Sequence, residues 1–184
     1  WLIIDEIYKV FIYEGTHSSI EEQLYGKEEV IIFNGFSKSH AMTGLRIGFC
    51  LTKNKKWVSD MLKLQQNIAT CTNSLTQYAA AYAHEANLDS SINYYEKNRG
   101  LVSQIIPELQ PFQPNGGFYY YFDIESMGIS LNAVDFCKNL LEKYNVALVP
   151  GDAYGKEFTT WVRLSYSTDA IILEKGLKIL KKFE

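Results

Sequence analysis

The sequence has no excess of basic residues, no long apolar run and few cysteines, and each absence removes a class of protein. Its 18 Lys and Arg against 21 Asp and Glu give a net charge of −3, which argues against nucleic acid or an anionic membrane as the main partner. No apolar run approaches the roughly 20 residues needed to span a bilayer. The three cysteines (Cys50, Cys71 and Cys137) are odd in number and far apart, so neither a disulfide framework nor a metal site is indicated. We therefore expect a protein of the reducing cytoplasm.

The composition is that of an ordinary globular chain. Hydrophobic residues make up 47% and charged residues 21% of 184 residues, enough for one domain or two small ones. The first residues, Trp-Leu-Ile-Ile, lack the basic segment of a signal peptide. Because they start inside an apolar run without a methionine, we expect a fragment of a longer protein.

The hydrophobic patterning predicts an α/β chain. Apolar runs predict strands at 1–8, 29–33 and 46–51, with a short helix or turn near 18–25 and helices at 54–66, 75–84 and 90–106. Three strands joined by so little helix indicate one edge of a larger sheet. The remainder indicates a compact α/β unit, with strands at 118–122, 146–149 and 161–166, a helix at 131–144 and a final helix capped within 167–169. We expect a large-domain portion at 1–88, a connecting helix and linker at 89–110, and a small domain at 111–184.

One lysine stands out because of its position. Lys38 follows the apolar run 30–33, and Arg46 follows Lys38 by eight residues (46 − 38). A lysine at the inner end of a buried strand is expected to interact with another group, because lysines are usually surface residues. The alternative interpretation is a lysine that extends to solvent from an ordinary loop.

Three other polar residues are expected near Lys38. Asp5 and Tyr8 come at the end of the first predicted strand, and Arg46 comes at the start of the third. Ligands of open α/β sheets bind outside the carboxyl ends of parallel strands, and an antiparallel third strand would start at that same edge. Taken singly, Asp5 could cap a turn, Tyr8 could be a rim aromatic, and Arg46 could form a surface ion pair. Together they predict one site.

An amine, a carboxylate, a phenol and a guanidinium are the groups that pyridoxal 5′-phosphate (PLP) chemistry needs. The amine condenses with the cofactor's aldehyde. The carboxylate keeps the pyridine nitrogen protonated, the phenol binds the 3-oxygen, and the guanidinium binds the phosphate with two hydrogen bonds.

Several segments, in order along the chain, resemble the class I/II aminotransferases of the fold type I PLP enzymes. The likeness is to the aspartate and aromatic aminotransferases, and to their C-terminal half only. The segments that carry it are residues 5–8, 34–38, 43–48, 114–119, 149–155 and 161–166.

The resemblance implies a role for each candidate residue. Lys38 is the Schiff-base lysine and proton shuttle, Asp5 is the partner of the pyridinium nitrogen, and Tyr8 lies at the 3-oxygen. Arg46 binds the cofactor phosphate, and Arg163 binds the substrate α-carboxylate.

The sequence leaves the assignments of Ser37 and Arg163 open to another interpretation. Ser37 is a candidate phosphate contact, but many relatives have a serine three residues before the lysine, where this chain has Gly35. Arg163 has an alternative as a charge at the edge of a strand.

The resemblance implies transamination between an amino acid and a 2-oxo acid by a cytoplasmic homodimer, without nucleic acid or membrane partners. A PLP-dependent C–S lyase, or another fold type I enzyme, is the alternative within the enzyme class. The alternative outside it is a non-catalytic fragment, held together by its C-terminal unit and by self-association. Substrate choice among amino acids is not predicted.

Overall fold

The computed structural model describes residues 1–18 and 27–183. These residues form two compact units, Trp1–Ser90 and Ser91–Glu184, and each is described by itself below. The helix predicted near 18–25 falls almost entirely outside the described residues. The predicted domain limits at 1–88, 89–110 and 111–184 stay a prediction.

The first unit contains a three-stranded sheet in the order β1-β2-β3. Strand β1 pairs parallel with β2, with Leu2 opposite Val30, and β3 pairs antiparallel with β2, with Gly35 opposite Gly48. This is the small mixed sheet expected from the sequence. The strands are β1 (Leu2–Asp5), β2 (Val30–Gly35) and β3 (Gly48–Leu51).

Strand β1 is shorter and more exposed than its apolar sequence predicts. It ends at Asp5, and residues 7–10 form turns. It is an edge strand of the sheet, and Ile3 is 72% exposed. The buried strand is the central one, since Val30, Ile31 and Ile32 are all buried.

In the described part of the first unit, two α-helices follow the sheet, and a side chain caps each of them. Asn54 accepts a hydrogen bond from the Trp57 amide at the start of α1, and Asn73 accepts from the Leu75 and Thr76 amides at the start of α2. Asparagine oxygens satisfy amides that lack a partner within the helix. The helices are α1 (Lys55–Ile68) and α2 (Ser74–Ala83).

The second unit is a sheet with three helices, and its strand order is β4-β6-β5. Both pairings are antiparallel. Asn132 and Asp169 cap the last two helices, as the sequence predicted for the final one. The elements are α3 (Asp89–Ile105), β4 (Tyr119–Asp123), α4 (Ala133–Tyr144), β5 (Val149–Pro150), β6 (Trp161–Ser165) and α5 (Ala170–Lys181).

The sheet of the second unit has one face in the core. Alternate residues of β4 and β6 are buried, because successive side chains of a strand point to opposite faces. The buried set shares this core with apolar side chains of the flanking helices. It comprises Tyr120, Phe122, Val162 and Leu164, with Phe136, Leu140, Leu173, Leu177 and Leu180.

The strand predicted at 146–149 is wrong in its limits. Strand β5 has two residues, Val149 and Pro150. Asn145 adopts a left-handed conformation with φ 57°, and the Val146 amide donates to the Leu140 carbonyl at 3.2 Å. The Asn145 amide donates to the Leu141 carbonyl at 3.1 Å, the five-to-one bond of a helix-ending motif, so the chain is still closing α4 where the strand was expected.

Among the described residues, no helix is both long and apolar enough to cross a membrane.

Cys137 gives the fold a testable chemical signature. Its side chain is buried on α4, and burial, followed by the charge of Asp152, raises the pKa of its thiol from 9.0 to about 11. Because the thiolate is the reactive form, Cys137 should react about 100-fold more slowly than a thiol of ordinary pKa. A chromogenic disulfide reagent at pH 8 should therefore modify the exposed Cys71 well before Cys137.

The variant Cys137→Ala is the control, and it should remove only the slow phase. The stability of the second unit should also fall as the pH rises from about 9 to 11, since the unfolded thiol loses its proton first. Cys137→Ala should flatten that dependence. A fast reaction at Cys137 in the folded chain would contradict its burial.

Candidate active site

The three strands of the first sheet bring three chain segments to one edge. Because β1 and β2 are parallel, the residues after Asp5 and after Gly35 leave the sheet on the same side. Because β3 is antiparallel and starts at Gly48, the residues before it enter from that side. This polar edge therefore receives Asp5, Tyr8, Lys38 and Arg46.

Lys38 lies in the turn after β2 and is half-buried. Its Nζ is 5.9 Å from the centroid of the Tyr8 ring, within the range of a cation–π contact. Within the described part of the chain, no carboxylate lies within ion-pair distance of Lys38. Its amine is therefore next to a phenol and has no acid partner among those residues.

The turn that carries Lys38, residues 37–40, is called the lysine turn below. Short-range hydrogen bonds hold its backbone in place. The Ser39 hydroxyl donates to the Gly35 carbonyl at 3.3 Å, and the His40 amide donates to the Phe36 carbonyl at 3.1 Å. Hydroxyl-to-backbone bonds of this kind stabilise turns. The backbone on both sides of Lys38 is thus held by short-range hydrogen bonds.

Thr43 connects the lysine turn to Arg46, and sequence reasoning missed it. Its hydroxyl donates to the Ser37 carbonyl at 2.9 Å, while its own carbonyl accepts from Arg46 Nη1 at 3.1 Å. A threonine between two functional residues in a turn is the only signal in the sequence that points to this connection. Ser37 itself is half-buried.

The sequence predicted Arg46 at the start of the third strand. In the structure it lies two residues before β3. It follows a short 3₁₀ helix, Thr43–Leu45, and has the left-handed φ of 52°, which a strand residue does not adopt. Its side chain is exposed and, over the described residues, has no carboxylate partner. The guanidinium is therefore available to an anion.

Asp5 and Glu6 are adjacent but differ in environment. Glu6 is 5% exposed; its Oε2 lies 3.4 Å from Lys9 Nζ and its Oε1 lies 3.3 Å from His17 Nε2. Asp5 is exposed and accepts the Ile7 amide at 3.0 Å through Oδ1. It caps a turn, as the alternative interpretation proposed.

Two glycines, Gly35 and Gly48, lie opposite each other where the chain leaves β2 and enters β3. A Cβ at Gly35 would lie 2.9 Å from the Gly48 Cα and 3.1 Å from the Ile47 carbonyl oxygen. Both neighbours are backbone, so they have no side chain that can move aside. This approach is the physical reason why position 35 holds glycine and not a serine.

Arg163 belongs to the second unit, where it lies on β6, the middle strand of its sheet. It is therefore not a charge at a sheet edge. Its Cζ lies 4.4 Å from the Tyr119 ring centroid and 5.3 Å from that of Tyr154. Its Nε is buried and, among the described residues, has no hydrogen-bond partner.

Tyr121 lies within the strand predicted at 118–122 and is the cross-strand neighbour of Arg163. Its ring contacts Tyr154, Phe158 and Trp161 at centroid distances of 5.9, 5.6 and 5.1 Å. Burial, followed by the charges of Glu157 and Tyr154, raises the pKa of its hydroxyl. Tyr121 therefore lines the face of the sheet that carries Arg163, opposite the core.

Metal chemistry receives no support from the side chains that the structure describes, since they contain no group of three or more His, Cys, Asp or Glu placed to hold an ion.

The comparisons with known proteins agree with this architecture. The model of the family described as "Aminotransferase class I and II" matches residues 1–179. The aspartate aminotransferase of Thermotoga maritima is 32% identical over 185 residues, which cover 100% of this chain and 47% of the relative. That of Pyrococcus abyssi is 36% identical, with 98% of this chain and 48% of the relative covered.

Solved structures give the same result. The aromatic aminotransferase of Pyrococcus horikoshii superimposes with a TM-score of 0.87 at 35% identity, over 98% of this chain and 50% of that one. The chain belongs to the aminotransferase class I and II family, which confirms the resemblance and the fold class inferred from its motifs. It spans about half the length of the curated relatives that it matches.

The glycine pair yields a stability prediction. Gly35→Ala should force β2 and β3 apart and cost about 1–3 kcal/mol, the usual range for overpacking. Native-state hydrogen exchange should show the β2 amides exchanging roughly 5- to 150-fold faster, as this free energy implies.

Gly44→Ala is the matched control, because a Cβ there meets nothing within 4 Å. It should leave exchange in β2 unchanged. Equal exchange rates in both variants would contradict the close approach of Gly35 and Gly48.

Proposed function

We propose that this chain is part of a PLP-dependent aminotransferase that transfers an amino group between an amino acid and a 2-oxo acid. The observation that carries the proposal is the Lys38 amine, placed over Tyr8 without an acid partner in the described chain. It lies at the same sheet edge as Asp5 and Arg46. Family membership supports the same conclusion.

The residues at the polar edge fit PLP by their chemistry. Arg46 is an exposed guanidinium with no acid partner in the described chain, suited to the phosphate, and Ser37 lies in the same connected turn. Asp5 would face the pyridine nitrogen and Tyr8 the 3-oxygen. When bound, the cofactor supplies an aldehyde that condenses with amines and a ring that accepts electrons.

The remaining steps belong to side chains of this chain. Lys38 Nζ would hold the cofactor at rest and, once released, would move the proton at the substrate Cα. Its contact with the Tyr8 ring orients the amine. Arg163 would bind the substrate α-carboxylate, for which its positive charge and its unpaired, buried Nε are suited.

We further propose a cytoplasmic enzyme that acts as a homodimer. The first unit exposes many large apolar side chains, including Ile68 at 80% and Leu75 at 77%. Surfaces of this kind are sites of association. The names of the relatives point to aspartate and aromatic amino acids as the substrate class.

Covalent labelling tests the role of Lys38 directly. The 184-residue chain would be incubated with PLP, reduced with borohydride and mapped by peptide mass spectrometry. Lys38 should be labelled in preference to the other lysines, since its amine lies beside the Tyr8 ring at the edge where Arg46 is available to the cofactor phosphate. Lys38→Ala should lose that labelled peptide.

Lys9→Ala is the matched control, because Lys9 is nearby but is paired with Glu6. It should leave the labelling of Lys38 intact. Labelling spread evenly over the exposed lysines would contradict the proposed site.

Turnover gives a second test, made in the enzyme that contains this chain. Lys38→Ala should reduce kcat by at least about 100-fold, the lower range for loss of an acid–base group. Asp5→Ala should retain some cofactor yet lose most of its rate, because the ring becomes a weaker electron acceptor.

The exposed helix variant Lys63→Ala serves as the control for both. Absorbance of the bound cofactor would separate loss of binding from loss of rate. Full activity of Lys38→Ala would reject the assignment, and full activity of Asp5→Ala would remove Asp5 from its role.

A further inference from the structure

The environment of Arg163 is unusual for a half-buried arginine. Buried or partly buried guanidinium groups are normally paired with a carboxylate or fully hydrogen-bonded. Among the described residues, Arg163 has no ion pair, and its buried Nε has no acceptor. Its neighbours are instead two aromatic rings.

These two rings reach Arg163 from different parts of the second unit. Tyr119 lies on β4 and is a diagonal neighbour of Arg163, since Tyr121 is the residue directly opposite it. Tyr154 follows the short 3₁₀ helix Gly151–Ala153. The guanidinium carbon is 4.4 Å from the first ring centroid and 5.3 Å from the second.

The position of Tyr154 depends on Gly151. A Cβ at Gly151 would lie 2.6 Å from the Trp161 carbonyl oxygen and 2.7 Å from that of Phe158. The loop can therefore approach β6 only with glycine at this position. That approach places the Tyr154 ring over the strand that carries Arg163.

Aromatic rings and carboxylates hold an arginine with different consequences. A carboxylate neutralises the charge and occupies the N–H donors, whereas a ring face attracts the cation and leaves its charge uncompensated. An arginine side chain also loses rotamer freedom when a ligand binds to it. If ring contacts already restrict the side chain, ligand binding causes a smaller loss of conformational entropy.

We propose that Tyr119 and Tyr154 are positioning residues that fix the Arg163 guanidinium, still charged and unneutralised, for a carboxylate ligand. The inference rests on the proposed function of Arg163 and adds the two tyrosines to it. Each cation–π contact contributes about 0.5–2 kcal/mol, so loss of one ring should weaken carboxylate binding roughly 2- to 30-fold.

The chain is well suited to a direct test by NMR, because it contains only three arginines, Arg46, Arg99 and Arg163. The ¹⁵N-labelled 184-residue chain should give three Nε–Hε signals, and Arg163→Lys identifies the third. Ring currents from the two tyrosines should move the Arg163 signal to lower proton frequency than that of the exposed Arg46. Titration with 2-oxoglutarate then reports binding at Arg163.

Matched variants separate ring stacking from other effects. Tyr119→Leu and Tyr154→Leu should each reduce the ring-current shift and raise the Kd for 2-oxoglutarate roughly 2- to 30-fold. Tyr119→Phe and Tyr154→Phe keep the rings and should change the Kd less than about 2-fold. The backbone amide spectrum of each variant verifies that the second unit is folded.

The outcomes distinguish this proposal from the function on which it rests. If both leucine variants bind 2-oxoglutarate as well as the unmodified chain does, the positioning role is overturned while the carboxylate role of Arg163 stands. An Arg163 signal without a ring-current shift in the unmodified chain also overturns the positioning role. If 2-oxoglutarate does not move the Arg163 signal at all, the carboxylate role fails, and the positioning proposal fails with it.

Discussion

The polar edge of the first sheet depends on the close approach of two glycines. Gly35 ends β2 and Gly48 begins β3 directly opposite it, and their backbones are too close for a Cβ between them. The intervening loop therefore leaves and re-enters the sheet at one point. Lys38 and Arg46 lie near the two ends of this loop, and Thr43 bonds to both ends, through the Ser37 carbonyl and the Arg46 side chain. An amine and a guanidinium eight residues apart are thus kept close to one edge.

The two faces of the sheet in the second unit differ: one packs in the core, and the other carries polar side chains. One face packs against apolar side chains of the helices. The buried Tyr120 on this face has a hydrogen-bond partner, since its hydroxyl donates to the Arg99 carbonyl at 2.9 Å. The other face carries Arg163 and Tyr121, whose Nε and hydroxyl are buried without partners among the described residues. Buried polar atoms are normally hydrogen-bonded. Two such atoms at directly paired positions therefore indicate that this face is completed by a ligand or by further polypeptide.

The sequence predicted those features that depend on local chemistry. The strand predicted at 29–33 from its apolar run overlaps β2 (Val30–Gly35), and the cap of α5, Asp169, lies within the predicted 167–169. The contacts of Arg163 were not predictable, because they depend on the β4–β6 register and on the loop that Gly151 permits. The strand expected at 146–149 failed for a local reason, since the helix-ending bond of Asn145 prevails over β propensity. The role of Lys38 required the family resemblance as well as its position.

The two units differ in how far each buries its own apolar residues, and this difference bears on function. Helices α4 and α5 each bury several side chains, whereas α1 buries none along its 14 residues. The apolar residues of α1 face a groove beside β3, whose lining includes Phe49, Leu62 and Arg46. Exposed apolar surface of this kind is stabilised by whatever covers it. The relatives extend well beyond the matched region, and polypeptide of that kind would stabilise the first sheet. Because the groove and the polar edge share Arg46, any polypeptide or ligand that covers the groove would also lie beside the edge that carries Lys38.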